Sequence, residues 1–159
     1  MNQAGTLFVF DSISQLMRQL ELPGPQHPLI ALIDYRTAEV SLKDAGNKFL
    51  LHFYKITFKS AFNGKVRYGQ GYYDFEEGGM AFLGPDQLVT LSAEERAYEG
   101  YALYFHPALI RNYPLSHTIG HYGFFSYGVS EALFLSAKEK KVIATLFEAI
   151  QTELDNHTD

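Results

Sequence analysis

Six histidines, His27, His52, His106, His117, His121 and His157, carry most of this sequence's capacity for metal or acid–base chemistry. Holding zinc or iron through imidazole needs two or three rings brought together, usually with a carboxylate beside them. No His-x-His pair occurs. His117 and His121 are four residues apart, which puts both rings on one face only if the segment is helical. Gly120 and Gly123 argue against a helix, and no carboxylate lies close in sequence. The pair reads as surface or capping histidines, and no metal is expected. With no cysteine, disulfides, thiolate metal sites and cysteine nucleophiles are excluded. Asp74, Glu76 and Glu77 gather beside Tyr72 and Tyr73, which supplies groups for proton transfer. Gly78-Gly79 follows at once, so the cluster reads better as a solvated hairpin turn. Gly69-Gln70-Gly71 lacks the strand, glycine-rich loop and helix that a phosphate loop requires. No catalytic residue and no cofactor are assigned.

Binding is better provided for than catalysis. Phe49 to Phe58 reads as one strand, rich in aromatic and branched residues. One face carries Leu50, His52, Tyr54, Ile56 and Phe58; the other carries Phe49, Leu51, Phe53, Lys55 and Thr57. The lysine places the first face inward, with His52 and Tyr54 as polar tips among apolar walls, as in many small-molecule sites. Tyr104 and His106 share a face of a later strand, and Tyr68 and Tyr73 offer further hydroxyls.

The elements that position these residues are mostly strands. Apolar spacing at Ile13, Leu16, Met17 and Leu20 marks a short amphipathic helix over 11–22, capped by Asp11 or Ser12 and stopped by Pro23-Gly24-Pro25. The compact run Leu29 to Ile33 follows, then Val40 and Leu42 alternating with polar neighbours. Asn63-Gly64 marks a turn, from which Val66-Arg67-Tyr68 returns. Further short strands are expected at Tyr72 to Phe75, Met80 to Leu83, Leu88 to Leu91 and Tyr101 to His106. Many short strands divided by Gly and Pro favour a sandwich or barrel, spanning 27–135. Pro107 to Tyr113 reads as one helical turn, and 116–135 receives no element. Ser136 and Glu139 form a capping box for a long helix over 136–157. Its apolar stripe runs through Val142, Ile143, Leu146, Phe147, Ile150 and Leu154. Lys138, Lys140 and Lys141 crowd its positive end and Asp155 its negative end, so packing must stabilise it.

Composition narrows the partners. The 159 residues suit a single domain, with 13 Phe and 11 Tyr to fill a β-rich core. A net charge of −5 is poorly suited to phosphate backbones, so the chain alone is expected to bind DNA poorly. No basic stretch before an apolar run opens the chain and no run is membrane-length, so a soluble cytoplasmic protein is expected.

Several passages, in order, resemble the N-terminal domain of AraC-family transcription regulators, in particular the branch common in Bacteroidetes. They are His27-Pro28-Leu29-Ile30, Tyr54-Lys55-Ile56, the run Arg67 to Phe75 (RYGQGYYDF), Phe105-His106-Pro107, Ile110 to Leu115 (IRNYPL) and Tyr122 to Tyr127 (YGFFSY). The resemblance implies a mainly β, cupin-like double-stranded β-helix (a jelly-roll barrel), followed by helices that pair two subunits. It implies a small-molecule effector in the barrel, for which His52, Tyr54, Tyr68, Tyr73, Tyr104 and His106, read from the strand faces and hydroxyls above, are the candidate lining. It also implies a homodimer through the stripe of the last helix, with its later residues nearer the partner. In the family a C-terminal pair of helix-turn-helix units reads DNA; these residues hold no such unit, so the chain is expected to be an excised domain or, alternatively, a natural stand-alone sensor. Two rival readings are a metal-free cupin enzyme of sugar isomerase or epimerase type, and a purely structural dimerisation domain.

Overall fold

The structure, a computed structural model, describes residues 6–37, 47–62, 65–68, 71–74, 79–90, 98–122, 125 and 135–156, with backbone alone at 60–62, 65–68, 71–74, 90 and 98–99. In chain order the described elements are β1 (Leu7–Phe10), α1 (Ile13–Gln19), β2 (Ile30–Asp34), β3 (Lys48–Leu51), β4 (Tyr54–Phe62), β5 (Lys65–Tyr68), β6 (Gly71–Asp74), β7 (Gly79–Leu83), β8 (Gln87–Thr90) and β9 (Tyr98–Phe105). A 3-10 turn (Pro107–Ile110), α2 (Leu115–Thr118), a second 3-10 turn (Ile119–His121) and α3 (Ala137–Asn156) follow. Residues 38–46, where the Val40–Leu42 alternation falls, and the Asn63-Gly64 turn lie outside the described residues.

Both helices expected from the sequence, α1 and α3, begin where local chemistry directs. The Ser12 hydroxyl accepts from the Gln15 backbone N–H at 3.2 Å, while the Gln15 side chain accepts from the Ser12 N–H at 3.1 Å. At α3, Ser136 and Glu139 make the same reciprocal pair, at 3.2 and 2.8 Å. The Ser136 backbone N–H and hydroxyl hold the Glu139 carboxyl below the usual carboxylate range. Each pairing satisfies N–H groups that a helix start leaves open.

The strands form two sheets, mostly antiparallel. The first runs β1-β3-β8-β5-β6, with β1 and β3 parallel; the second runs β2-β9-β4-β7. Sequence alternation over 49–58 led to one strand there. The structure breaks it at His52 and Phe53: β3 belongs to the first sheet and β4 to the second. The break is stabilised at the corner, where the His52 N–H donates to the Phe10 carbonyl at 3.1 Å and Phe53 is fully buried. Apolar periodicity cannot see such a corner, because both arms remain extended.

Two cores flank the second sheet. Between the sheets lie Phe10, Phe49 and Leu51 from the first and Ala31, Ile33, Ala102 and Tyr104 from the second, with Ile13, Leu16 and Met17 of α1 closing one end. On the opposite surface, Met80, Phe58, Tyr101, Leu103 and Phe105 pack with Ile119 and with Phe147 of α3. The second sheet is thus covered on both faces, and most of its residues on either face are apolar, with Lys55, Thr57 and Lys59 of β4 the exceptions.

A small polar network edges the second core. Arg36 holds the Asp34 carboxylate through its guanidinium at 2.9 Å and reaches the Tyr101 hydroxyl at 3.2 Å. Burial pushes the Asp34 carboxyl up, but the Arg36 hydrogen bonds and charge outweigh this and hold it below its ordinary value of 3.8. A carboxyl lowered by folding stabilises the fold above its unfolded pKa, and loses that contribution as pH falls through the folded value. Asp34→Asn is therefore expected to lower unfolding free energy by about 1 kcal/mol at pH 7. In urea titrations the gap from wild type should shrink as pH falls below 3.8; a gap constant from pH 7 to pH 2.5 or so would contradict the linkage.

Candidate functional site

Cross-strand register assigns the faces of the second sheet without ambiguity, because directly paired residues point to the same side. Thr57 pairs with Ala81 and Ala102, Lys55 with Leu83 and Tyr104, and Lys59 with Gly79 and Gly100. Ala102 and Tyr104 belong to the core between the sheets. Lys55, Thr57 and Lys59 therefore face inward. Tyr54, Ile56 and Phe58, paired with Phe105, Leu103 and Tyr101, face outward beneath the helices. This reverses the facing read from the sequence, which placed Tyr54 and Ile56 inward on the ground that Lys55 must reach solvent. Lys55 instead lies with its ammonium 5.5 Å from the centre of the Tyr104 ring, and Lys59 is 1% exposed.

The inner face is lined by small side chains around polar ones. Thr57 is buried, and next to it on the neighbouring strands stand Ala81 and Ala102. Glycines occupy both positions opposite Lys59, and Gly100 has φ +146° in a bulge where the β4–β9 register slips between Lys59 and Ala61. A β-carbon at Gly100 would stand 1.9 Å from the Phe58 carbonyl oxygen. Tyr104, in edge contact with Phe53 at 6.1 Å, forms an aromatic wall. This face combines an ammonium and a hydroxyl with apolar surfaces, and Thr57, Lys59, Ala102 and Tyr104 are buried on it.

A family model, the AraC-like ligand binding domain, matches residues 63–157, more than half of the chain. The chain belongs to this family. Comparison with curated proteins and with solved structures returned no match. The AraC-like domain is of the ligand-sensing regulator kind, and its two mostly antiparallel sheets with a C-terminal helix are compatible with a cupin-like domain.

Of the six residues expected to line an effector pocket in this AraC-like domain, Tyr104 is on the inner face. Tyr54 is on the outer face, stacked on Phe105 at 4.8 Å and meeting the edge of Phe125 at 5.1 Å; burial pushes its hydroxyl pKa up. His52 stands at the corner between β3 and β4, paired with Asp86 and, at 3.4 Å, with Asp11. His106 follows β9 and caps the first 3-10 turn, its Nδ1 accepting from the Ala108 N–H at 3.1 Å. Tyr68 and Tyr73 sit in β5 and β6, and their side chains lie outside the described residues, as do those of Asp74, Glu76 and Glu77. Gly69-Gln70 and His157 lie outside them too. Sequence reasoning missed Lys59 and Thr57 because a lysine in a strand is ordinarily a mark of the solvent side.

His117 and His121 occupy a region where no helix was expected, yet His117 lies in α2 and His121 ends a 3-10 turn. Gly120 between them is no obstacle, since a β-carbon there would meet nothing within 4 Å. Both rings are exposed, and among the described residues no three His, Asp or Glu side chains gather into a metal-binding set. No helix among them is long and apolar enough to cross a membrane.

The stripe of α3 divides. Phe147 and Leu154 are buried on the domain itself, and Ile143 and Ile150 pack partly against the outer core. Val142 and Leu146 are each 55% exposed, and Ala149 continues their line. The outward seam is thus the edge made by Val142, Leu146 and Ala149, while Ile150 packs on the outer core and Leu154 is buried.

Proposed function

We propose that this chain is the effector-binding and dimerisation domain of an AraC-type transcription regulator. The match to the AraC-like ligand binding domain over residues 63–157 carries the reading. The two sheets are the halves of a cupin-like double-stranded β-helix, and a small molecule binds on the inner face of β4 and β9, beside Tyr104. Tyr68 and Tyr73, in β5 and β6, are included in this reading as further candidate pocket residues. Two copies pair about a two-fold axis through α3. DNA is read in the cytoplasm by a further domain, not by these acidic 159 residues. Effector binding biases how that domain is held, which requires different ligand affinity in the two arrangements.

The exposed Val142–Leu146–Ala149 seam supports the pairing. An apolar edge at heptad-like spacing, left open by the domain's own packing, suits a partner helix. The wild-type domain is expected to dimerise with Kd in the ~micromolar range. Leu146→Asp sets an unpaired charge in the contact and should weaken association by roughly 3 kcal/mol. Circular dichroism should be unchanged, since Leu146 lies outside both cores. Sedimentation of the two proteins decides the matter: a wild type monomeric at high concentration overturns the dimer. Ile150→Asp is a poorer probe, because Ile150 packs on the domain's own core.

A further inference from the structure

We propose that the cleft between the first half of α3 and the outer face of the second sheet is a further ligand site, separate from the inner face, and that it takes the phosphate group of a small molecule. Its walls are Arg36, from the turn after β2, and Lys140, Lys141 and Glu148 of α3, with Phe58 and Tyr101 at its floor. The cleft has a volume of about 260 Å³, just under the range of pockets that hold drug-sized ligands, so its occupant is small. Ala144, the α3 residue between the lysines and Glu148, keeps it open. At about 100° per residue, these positions lie on the flank of α3 away from the Val142–Leu146 seam.

Three cations and one carboxylate line this cleft, on a chain whose net charge is −5. Counting also Asp34, which grips Arg36 without lining the cleft, a positive charge remains over. Neither lysine has a carboxylate three or four residues away on the helix, where Ser136, Ala137, Lys138, Ile143, Ala144 and Thr145 stand. The acid of the first turn, Glu139, is taken up by the Ser136 cap. Lys140 has a contact of its own within the chain, whereas Lys141 forms no ion pair among the described residues. Arg36 gives Nε and Nη2 to Asp34, at 3.2 and 2.9 Å, and Nη2 again to the Tyr101 hydroxyl at 3.2 Å. Its Nη1 has no acceptor among the described residues. The guanidinium is therefore already held, by Asp34 and over the Tyr101 ring at 5.9 Å, with two N–H groups to offer. Ammonium groups with a fixed guanidinium edge are a donor set suited to phosphate. A phosphate monoester presents three terminal oxygens to the three cations, where a carboxylate presents two. Glu148 stands seven residues, or roughly 10 Å of helix, beyond Lys141. It repels a free dianion, and it can accept from a hydroxyl on an ester's body. An anion shared by Arg36 and Lys141 ties α3 to the turn after β2.

Calorimetric titrations at pH 8 and fixed ionic strength test this with sodium phosphate, glycerol 3-phosphate and sodium acetate. The proteins are wild type, the double variant Lys140→Gln/Lys141→Gln, and Glu148→Gln. At least one phosphate species is expected to bind wild type saturably while acetate does not. Tighter binding of glycerol 3-phosphate supports an ester as the ligand, and tighter binding of free phosphate supports a site for the inorganic anion. The double variant should raise Kd about tenfold, as loss of two solvent-facing charges predicts. Glu148→Gln should lower the Kd of free phosphate a few-fold. The double variant removes charges that oppose the helix dipole, so its Tm without ligand should equal or exceed that of wild type. No saturable binding of either phosphate, acetate binding as tightly, or a Kd unmoved in the double variant overturns the site. Each of these results leaves the inner-face reading standing, because the cleft lies on the other side of the second sheet.

Discussion

Gly100→Ala is expected to be among the most damaging single-methyl additions in the described fold. The backbone at Gly100 has φ +146°, which L side chains rarely adopt, and the new carbon would stand 1.9 Å from the Phe58 carbonyl oxygen. The obstacle is backbone of the central β4–β9 pair, so no side-chain rotation relieves it. Relief requires unwinding the bulge between Lys59 and Ala61, and the Gly100 carbonyl also accepts the Tyr35 N–H at 3.0 Å. Conformational strain and lost pairing together should cost roughly 3 kcal/mol or more. In a domain of this size that lowers Tm by on the order of 10 °C. Gly120→Ala is the control: a β-carbon there meets nothing within 4 Å, and stability should be unchanged. Chemical denaturation of both variants settles it; a Gly100→Ala protein as stable as the control would mean that the bulge is not as described.

Phe147→Ala is expected to be comparably costly, for a different reason. Phe147 is 4% exposed and lies between two aromatic rings of the second sheet. It stacks on Tyr101 at 5.1 Å with planes 6° apart, and on Phe58 at 5.7 Å with planes 11° apart. Truncation removes a large buried ring and leaves a cavity, typically about 3–5 kcal/mol. The ring is also the main anchor of α3, a helix whose lysine-rich first turns oppose its own dipole. The variant should therefore lose helical signal together with cooperative unfolding, and lose dimerisation as a consequence. Leu146→Asp should lose dimerisation alone. The two variants separate docking of α3 on its own sheet from its pairing with a second copy. A Phe147→Ala protein within about 1 kcal/mol of wild type would show that α3 is held by other contacts.

How much of this was legible beforehand depends on the range of the interactions involved. Both capped helices were, because Ser12 with Gln15 and Ser136 with Glu139 act within four residues, and an apolar stripe reports a packed face wherever it docks. Family membership was legible too, since motif order survives without coordinates. The short strands β2, β7, β8 and β9 fell close to their alternating runs. The facing of β4 was not legible. β4 is covered on both sides, so neither face reaches solvent, and Lys55, from which the facing was read, marks the interior in this sheet. Nor could composition say that Phe49 to Phe58 bends into two sheets, since the corner is held by Phe10 and by the burial of Phe53, contacts between distant parts of the chain. The same holds for α3: its stripe was plain, but which edge the domain covers was decided by where Phe58 and Tyr101 present their rings. The sequence by itself determined the two capped helices, most of the short strands and the family. Only tertiary packing decided which side of each element is inside, because a residue's pattern records its chemistry and not the partner that arrives from elsewhere in the chain.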